Sequence, residues 1–383
     1  MNPLDELRAA RPAHLGDRPV DERTRAAELA NAMSRPRRPV RRRNKVVRPV
    51  WGLSLLGAAA AVTAVAVVMS GNGPTPAPRA PDDGGQIAAT ATVAPRQVEL
   101  SARDVLLAAA EKADRQPDGS GAYWHSVSVR RTLFAAKPGG YLVMDQERNE
   151  GWTPSATGGR QWGRNQPLGA RPVTEEDERA WAQAGSPSEI GVVVPGKGAS
   201  MKLSTSERPA KISHSPLVDG DKVFWLGRNV TMKDLRGLPS DPGELKAWLV
   251  RSYDGHDTES SSKEMSEDAW LFRVSVGLIM DMPVTPEVRG AAFRMLADLD
   301  DVEVRQDVTD AEGRKGTAVA VKESTQGSGV LENRLVFDEA TGRALANENV
   351  VVKPGGFQAG FEPGTVWNSN ALIEAGWTDA KPS

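Results

Sequence analysis

Cysteine is absent from the 383-residue sequence, and this absence excludes disulfide bonds, thiolate metal sites and a lipid-modified cysteine as a membrane anchor. Histidine is scarce, and the four that occur, His14, His125, His214 and His256, have no spacing typical of metal ligands. No serine lies in a G-x-S-x-G or S-x-x-K motif, and no glycine pair opens a helix as a phosphate-binding turn would. We therefore predict no catalytic residues, no cofactor and no metal site, and we expect a protein that is not an enzyme.

Charge is missing from one long stretch, residues 50–69, which are twenty uncharged residues in a row. A helix of that length, at about 1.5 Å per residue, crosses the roughly 30 Å hydrocarbon core of a bilayer. A buried helix of a soluble protein is rarely as long and as uncharged, and the apolar part of a cleaved signal peptide is shorter and closer to the N-terminus. The stretch therefore predicts a helix that crosses the membrane once.

The residues around this stretch predict its orientation. Eight basic residues and no acidic residue lie within 35–49, whereas the first basic residue after the stretch is Arg79. Because positive charge beside a membrane helix stays in the cytoplasm, we expect the N-terminus inside the cell and the C-terminal part outside it. The residues expected to fix this topology are five basic residues and one interfacial tryptophan, namely Arg41, Arg42, Arg43, Lys45, Arg48 and Trp51. Lipid phosphate is the anion nearest to the basic run, so the predicted partner is the lipid bilayer and not nucleic acid.

Composition divides the chain into four segments. Residues 1–49 hold 13 of the 48 Lys and Arg residues but 6 of the 50 Asp and Glu residues, and we interpret them as a basic cytoplasmic stub. The transmembrane helix at 50–69 follows. Residues 70–99 are rich in proline and glycine, which predicts a disordered linker. Residues 100–383 show the periodic apolar patterns of a folded domain, which the topology places outside the cell.

The patterns within 100–383 predict an α+β domain with one curved antiparallel sheet and helices on one face. Residues 123–132 alternate as in a half-buried antiparallel strand. Helix starts are predicted where a capping residue precedes an apolar series, at Ser101, Thr174, Asp241, Ser266 and Thr285. Further strands are predicted at 141–149, 302–308, 316–321, 334–337 and 345–352, and the stretch 185–220 is predicted to be rich in loops.

Several of these segments resemble those of a known family. They read DPGELKA at 241–247, DDVEVRQDVTD at 300–310, GRKGTAV at 313–319 and LVFDEATGR at 335–343. Together with the basic stub and the membrane helix, they are similar to an uncharacterised actinobacterial-type family of single-pass membrane proteins. Members of that family are often encoded near extracytoplasmic-function sigma factors, so the resemblance implies a cytoplasmic sigma factor or regulator as partner. The exported part is more distantly similar to the half-open barrels of periplasmic lipoprotein carriers and of sensors that regulate anti-sigma factors.

Tryptophan is the commonest aromatic residue, with 10 Trp against 7 Phe and 3 Tyr. Four of the tryptophans in the predicted exported domain, Trp124, Trp152, Trp162 and Trp225, lie in segments read as extended. Such side chains can line an open apolar groove for a lipid or peptide ligand outside the cell. They are equally suited to the core of the domain, and the sequence leaves both interpretations open.

Two functions are compatible with these features. The first is a membrane-anchored envelope protein whose exported domain binds a ligand or partner, with a link to sigma-factor signalling. The alternative is a membrane-tethered carrier of lipid or other apolar cargo. A cavity large enough for such cargo would favour the carrier, and a fully packed domain would count against it.

Overall fold

The computed structural model of the protein describes residues 101–194, 199–258, 264–324 and 329–382. All of them belong to the predicted exported domain, whereas the predicted stub, membrane helix, linker and membrane-anchor residues lie outside the described residues. Within the described ranges, no helix is long and apolar enough to span a membrane. The described part is an α+β domain with a large antiparallel sheet, and this part of the prediction is confirmed.

One large sheet organises the described residues. The strands, in chain order, are β1 Tyr123–Ala135, β2 Leu142–Pro154, β3 Arg160–Pro167, β4 Arg171–Pro172, β5 Glu189–Val194, β6 Ala199–Ser204, β7 Lys211–Pro216, β8 Lys222–Trp225, β9 Arg228–Thr231, β10 Glu303–Thr309, β11 Lys315–Ser324, β12 Val330–Asp338, β13 Arg343–Lys353 and β14 Val366–Thr378. The large sheet has the order β10-β11-β12-β13-β14-β1-β2-β3-β7, with β4 paired to β2. Strands β5 and β6 form a separate pair, as do β8 and β9.

Strand β14 joins the two halves of the sheet, because it pairs with β13 on one side and with β1 on the other. The sequence analysis did not predict this strand. Its residues, VWNSNALIEAGWT, do not alternate cleanly between apolar and polar, and both of its pairings contain a register shift. The prediction of a loop-rich stretch at 185–220 is wrong as well, since it contains β5, β6 and β7, which are short strands with weak apolar patterns.

The helices begin where a side chain caps their free N–H groups. They are α1 Ala102–Asp114, α2 Glu175–Gln183, α3 Met232–Arg236, α4 Pro242–Val250, α5 Glu267–Met280 and α6 Pro286–Ala297. In each of them the side chain of the N-cap residue accepts a hydrogen bond from the backbone N–H three residues further on. The capping pattern predicts all of these helices except α3, whose five residues are too few for a periodic apolar pattern.

The main apolar core lies between helices and one face of the sheet. Its members include Leu106 of α1, Phe272 of α5 and Phe293 of α6 on the helical side, and Leu335 and Phe337 of β12 on the sheet side. Phe293 and Phe337 meet edge to face, with ring centroids 5.5 Å apart. This packing brings the junction between α5 and α6 beside strands β1 and β14, where the candidate site lies.

Candidate functional site

A pocket with a volume of about 280 Å³ lies where the junction of α5 and α6 meets strands β1, β13 and β14. The loop that follows α1, residues 116–119, forms one side of it. The aromatic and apolar lining includes Trp124, Ile279, Met280, Leu372 and Trp377, and the charged lining consists of Asp118, Arg289 and Arg343. Small-molecule sites usually combine aromatic and apolar side chains with a few polar or charged groups, as this pocket does.

Two tryptophans from neighbouring strands form the aromatic side of the pocket. Trp124 of β1 and Trp377 of β14 are directly opposite each other in the sheet register. Their rings meet edge to face, with centroids 5.4 Å apart and an interplanar angle of 73°. The indole Nε1 of Trp124 donates a hydrogen bond to the backbone oxygen of Asp281 at 2.6 Å, which fixes the ring between the sheet and the end of α5. Trp124 is therefore a rigid surface against which a ligand can pack.

The one acidic residue in the lining already has a partner. Nη2 of Arg236 donates to Oδ2 of Asp118 at 2.5 Å, and the guanidinium carbon of Arg236 is 5.8 Å from the ring centroid of Trp377. The buried Nη1 of the same arginine has no hydrogen-bond partner among the described residues. Asp118 is thus neutralised by Arg236, and a donor beside the pocket remains unused.

Arg289 and Arg343 are the two cations of the lining, and neither forms an ion pair within the described part of the chain. Nη1 of Arg289 donates to Oε1 of Gln116 at 3.0 Å, which is a neutral acceptor. Arg289 reaches solvent with part of its surface but is densely surrounded by protein, and this burial, together with the charge of Arg343, lowers the pKa of its guanidinium to about 10. The group remains protonated at neutral pH, so the pocket holds positive charge in excess of its single carboxylate.

Asp281 places a titratable group next to the tryptophan wall. It is the residue at which α5 ends, and its backbone oxygen receives the indole hydrogen bond of Trp124. Burial raises the pKa of the Asp281 carboxyl to about 7, although part of the residue reaches solvent, because the surrounding protein atoms remove most of its hydration. The Asp281 carboxyl, which is not part of the pocket lining, therefore gains and loses its charge around neutral pH.

The four tryptophans proposed as groove residues lie in three different places. Trp124 lines the pocket. Trp152 of β2 is stacked on His125, the residue next to Trp124, so it lies on the opposite face of the sheet. Trp162 pairs with Trp152 in the register of β2 and β3 and shares that face. Trp225 packs against the main apolar core.

Sequence reasoning did not single out the arginines of the pocket. Arg289 follows the first turn of α6, where the helix dipole favours acidic side chains, and a basic residue at this end of a helix is the available signal. Arg343 opens β13 after the turn at Gly342 and has no local feature that separates it from other exposed arginines. The two residues meet only because the fold brings α6 and β13 together.

Metal ligation finds no support in the part of the chain that the structure describes. No group of three or more His, Asp or Glu residues there could hold a metal ion. The charged side chains of the lining are the guanidinium groups of Arg289 and Arg343 and the carboxylate of Asp118, which pairs with Arg236. The arrangement is suited to recognising a negatively charged molecule by hydrogen bonds from arginine.

Comparison with known proteins gives only distant structural similarity. No protein-family profile matches the chain, and no curated protein is similar enough to count as a relative. Among solved structures, the chain is similar to one in "The complex structure of Pseudomonas aeruginosa MucA/MucB", with 14% sequence identity and a TM-score of 0.22. The similarity covers 74% of this chain and 58% of that one, so the chain spans little more than half of its neighbour. A similarity at this level identifies neither the protein nor a ligand.

Proposed function

We propose that the chain is a single-pass membrane protein whose exported domain binds a ligand in the pocket between Trp124, Arg289 and Arg343. The observation that supports this function most strongly is the pocket itself, in which two arginines face an aromatic wall and have no ion-pair partner among the residues that the structure describes. In this proposal the N-terminal stub lies in the cytoplasm and contacts a sigma factor or its regulator. Support for that part comes from the basic run before residues 50–69 and from the family resemblance.

The position of the pocket offers a route from the ligand to the membrane side of the chain. Its side wall, residues 116–119, directly follows α1, and α1 is the first described element after the proposed linker. Helix α1 packs closely on α6, because a Cβ atom added at Gly290 would be 1.8 Å from Oδ1 of Asp114. Arg289 lies next to Gly290 and bonds to Gln116, so a ligand held by Arg289 acts directly on the end of α1.

The size of the pocket favours a small ligand over the alternative, a carrier of lipid or other apolar cargo. Ligand pockets typically have volumes of about 300–1,000 Å³. A volume of about 280 Å³ is just below this range and is too small to enclose the two acyl chains of a membrane lipid. We therefore place the carrier second to a receptor for a small molecule.

Topology and partner can be tested together in intact cells. The full chain carries an affinity tag at its N-terminus, and protease is added outside the cells. We expect cleavage of the part beyond residue 100, protection of the tag, and recovery of a sigma factor or regulator with the tagged fragment after mild solubilisation.

A matched variant makes this experiment specific to the stub. Removing residues 1–34 leaves the basic run at 35–49 and the membrane helix in place, so insertion should be unchanged while the cytoplasmic partner is lost. Protection of the part beyond residue 100 would contradict the topology. Recovery of the same partner with the shortened chain would contradict its assignment to the stub.

A further inference from the structure

The charges around the pocket indicate what kind of ligand it takes, and this step rests on the ligand-binding function proposed above. Three guanidinium groups, those of Arg236, Arg289 and Arg343, lie in or beside the pocket, whereas Asp118 is the single carboxylate of its lining. Asp118 is engaged by Arg236. The two remaining cations face the pocket without an ion-pair partner within the described residues.

The unused hydrogen-bond donors of the arginines also favour a negatively charged ligand. A guanidinium group has five N–H donors and no acceptor. Arg289 donates to the amide oxygen of Gln116 with one nitrogen, and Nη1 of Arg236 is buried without any partner in the described part of the chain. A neutral ligand would leave the charges of Arg289 and Arg343 uncompensated, whereas an oxyanion satisfies several of their donors at once through charge-assisted hydrogen bonds.

The aromatic and apolar part of the lining and the size of the pocket limit what accompanies the anion. Ile279, Met280, Leu372 and the two tryptophans form a wall suited to a ring or a short aliphatic group. Inorganic phosphate alone would leave this wall uncovered, and a lipid with two acyl chains exceeds the volume of about 280 Å³. The lining therefore matches a molecule with one charged end and one small apolar end.

We propose that the pocket binds a small organic oxyanion, a carboxylate or a phosphate monoester bearing one ring or a short aliphatic group, with Arg289 as the residue that receives the charged end. Arg343 supplies a second positive charge at the more exposed side of the pocket. Trp124 and Trp377 contact the apolar end. The oxyanion bonds to arginine nitrogens and displaces no protein side chain.

The test uses a pair of probes that differ only in charge. Hydrocinnamate and its uncharged amide are titrated by calorimetry into the full chain, held in phosphatidylcholine nanodiscs. Because one charge-assisted hydrogen bond is worth at least about 1.4 kcal/mol, we expect hydrocinnamate to bind about tenfold or more tightly than the amide. Phenyl phosphate and inorganic phosphate are titrated as well. Comparing phenyl phosphate with hydrocinnamate shows which oxyanion binds more tightly, and comparing it with inorganic phosphate shows whether the ring contributes to binding.

Two variants assign the effect to the residue proposed. Arg289→Gln keeps a hydrogen-bonding group on a shorter side chain but removes the charge, and it should reduce the difference between hydrocinnamate and the amide to less than about threefold. Arg179→Gln, in exposed helix α2 away from the pocket, is the control and should leave the difference unchanged. Thermal unfolding of both variants verifies that each is folded.

Four outcomes overturn the inference: equal binding of hydrocinnamate and amide, binding of neither probe, tighter binding of inorganic phosphate than of phenyl phosphate, or a charge preference that survives in folded Arg289→Gln. None of these results affects the protease experiment, which tests topology. Conversely, a failure of the protease experiment leaves the charge preference of the pocket intact. The two proposals can therefore fail separately.

Discussion

Trp124 and His125, neighbouring residues of strand β1, lie on opposite faces of the sheet, and the two faces differ in how their charges are used. Trp124 faces the pocket, where Arg289 and Arg343 have no ion pair within the described residues. His125, the next residue, lies on the other face, stacked on Trp152 with ring centroids 4.5 Å apart. There Arg148 donates to Glu150 at 3.0 Å, so this cation is paired.

This difference separates a candidate binding site from a structural aromatic cluster. Both faces contain buried tryptophans, Trp124 at 7% exposure and Trp152 at 6%, so aromatic content alone does not distinguish them. One face has a pocket lined by two arginines without an ion pair among the described residues, whereas the other has stacked rings and the Arg148–Glu150 ion pair. The following predictions test whether the two faces of the sheet differ in ligand binding and in response to pH, and the largest expected effect comes first.

Removing the aromatic ring on each face should produce equal losses of stability but different losses of binding. Trp124→Ala and Trp152→Ala each delete a buried ring, and each should lower the free energy of unfolding by about 3 kcal/mol. Urea denaturation followed by circular dichroism measures this loss. Only Trp124→Ala should also abolish hydrocinnamate binding, and a comparable loss of binding in Trp152→Ala would break the contrast.

Asp281 should lower the free energy of unfolding of the domain as the pH rises. Its carboxyl has a pKa of about 7 in the folded chain and near 3.8 when unfolded, so stability present at low pH is lost between these two values. Replacing it in Asp281→Asn should remove that loss, and the stability difference between variant and parent should grow by about 2 kcal/mol from pH 5 to pH 8. Thermal unfolding across this range measures it, and a constant difference would show that the carboxyl is not desolvated.

Arg343 should contribute less to binding than Arg289, because it is exposed and its charge is screened by salt. Arg343→Gln should weaken hydrocinnamate binding roughly threefold at low ionic strength and by less at high salt. Arg343→Lys retains the charge and serves as the control. A loss of affinity as large as that of Arg289→Gln would show that Arg343 contributes as much as Arg289 to binding the anion.

His125 should respond to pH in the direction opposite to Asp281. Burial lowers the pKa of this imidazole below 6.5, despite the nearby carboxylates Glu374 and Glu150. Its contribution to stability is therefore present above the unfolded pKa and is lost as the pH falls through the lower folded value. NMR titration of the imidazole measures the shift, and His125→Asn should remove this pH dependence without changing hydrocinnamate binding.

The sequence was sufficient for most of the helices and insufficient for strand β14 and for the site. The helix starts at Ser101, Asp241 and Thr285 could be predicted because capping is a property of neighbouring residues. Strand β14 could not, since its Asn, Ser and Gly residues are stabilised by pairing with β1 and β13, which are distant in the chain.

The pocket was hidden for the same reason. Trp124 could be named as a candidate from its strand pattern, but nothing local distinguished it from Trp152. Arg289 and Arg343 become a pair only when α6 and β13 are packed against the same core. Long-range packing, and not residue type, creates the excess positive charge.

Fluorine NMR of the full chain labelled with fluorotryptophan shows directly on which face of the sheet the ligand binds. Single Trp→Phe variants assign the resonances, and hydrocinnamate is then titrated into the labelled protein. We expect the resonances of Trp124 and Trp377 to shift with a common dissociation constant while those of Trp152 and Trp162 stay in place. Shifts confined to Trp152 and Trp162 would contradict the account and place the ligand on the other face of the sheet.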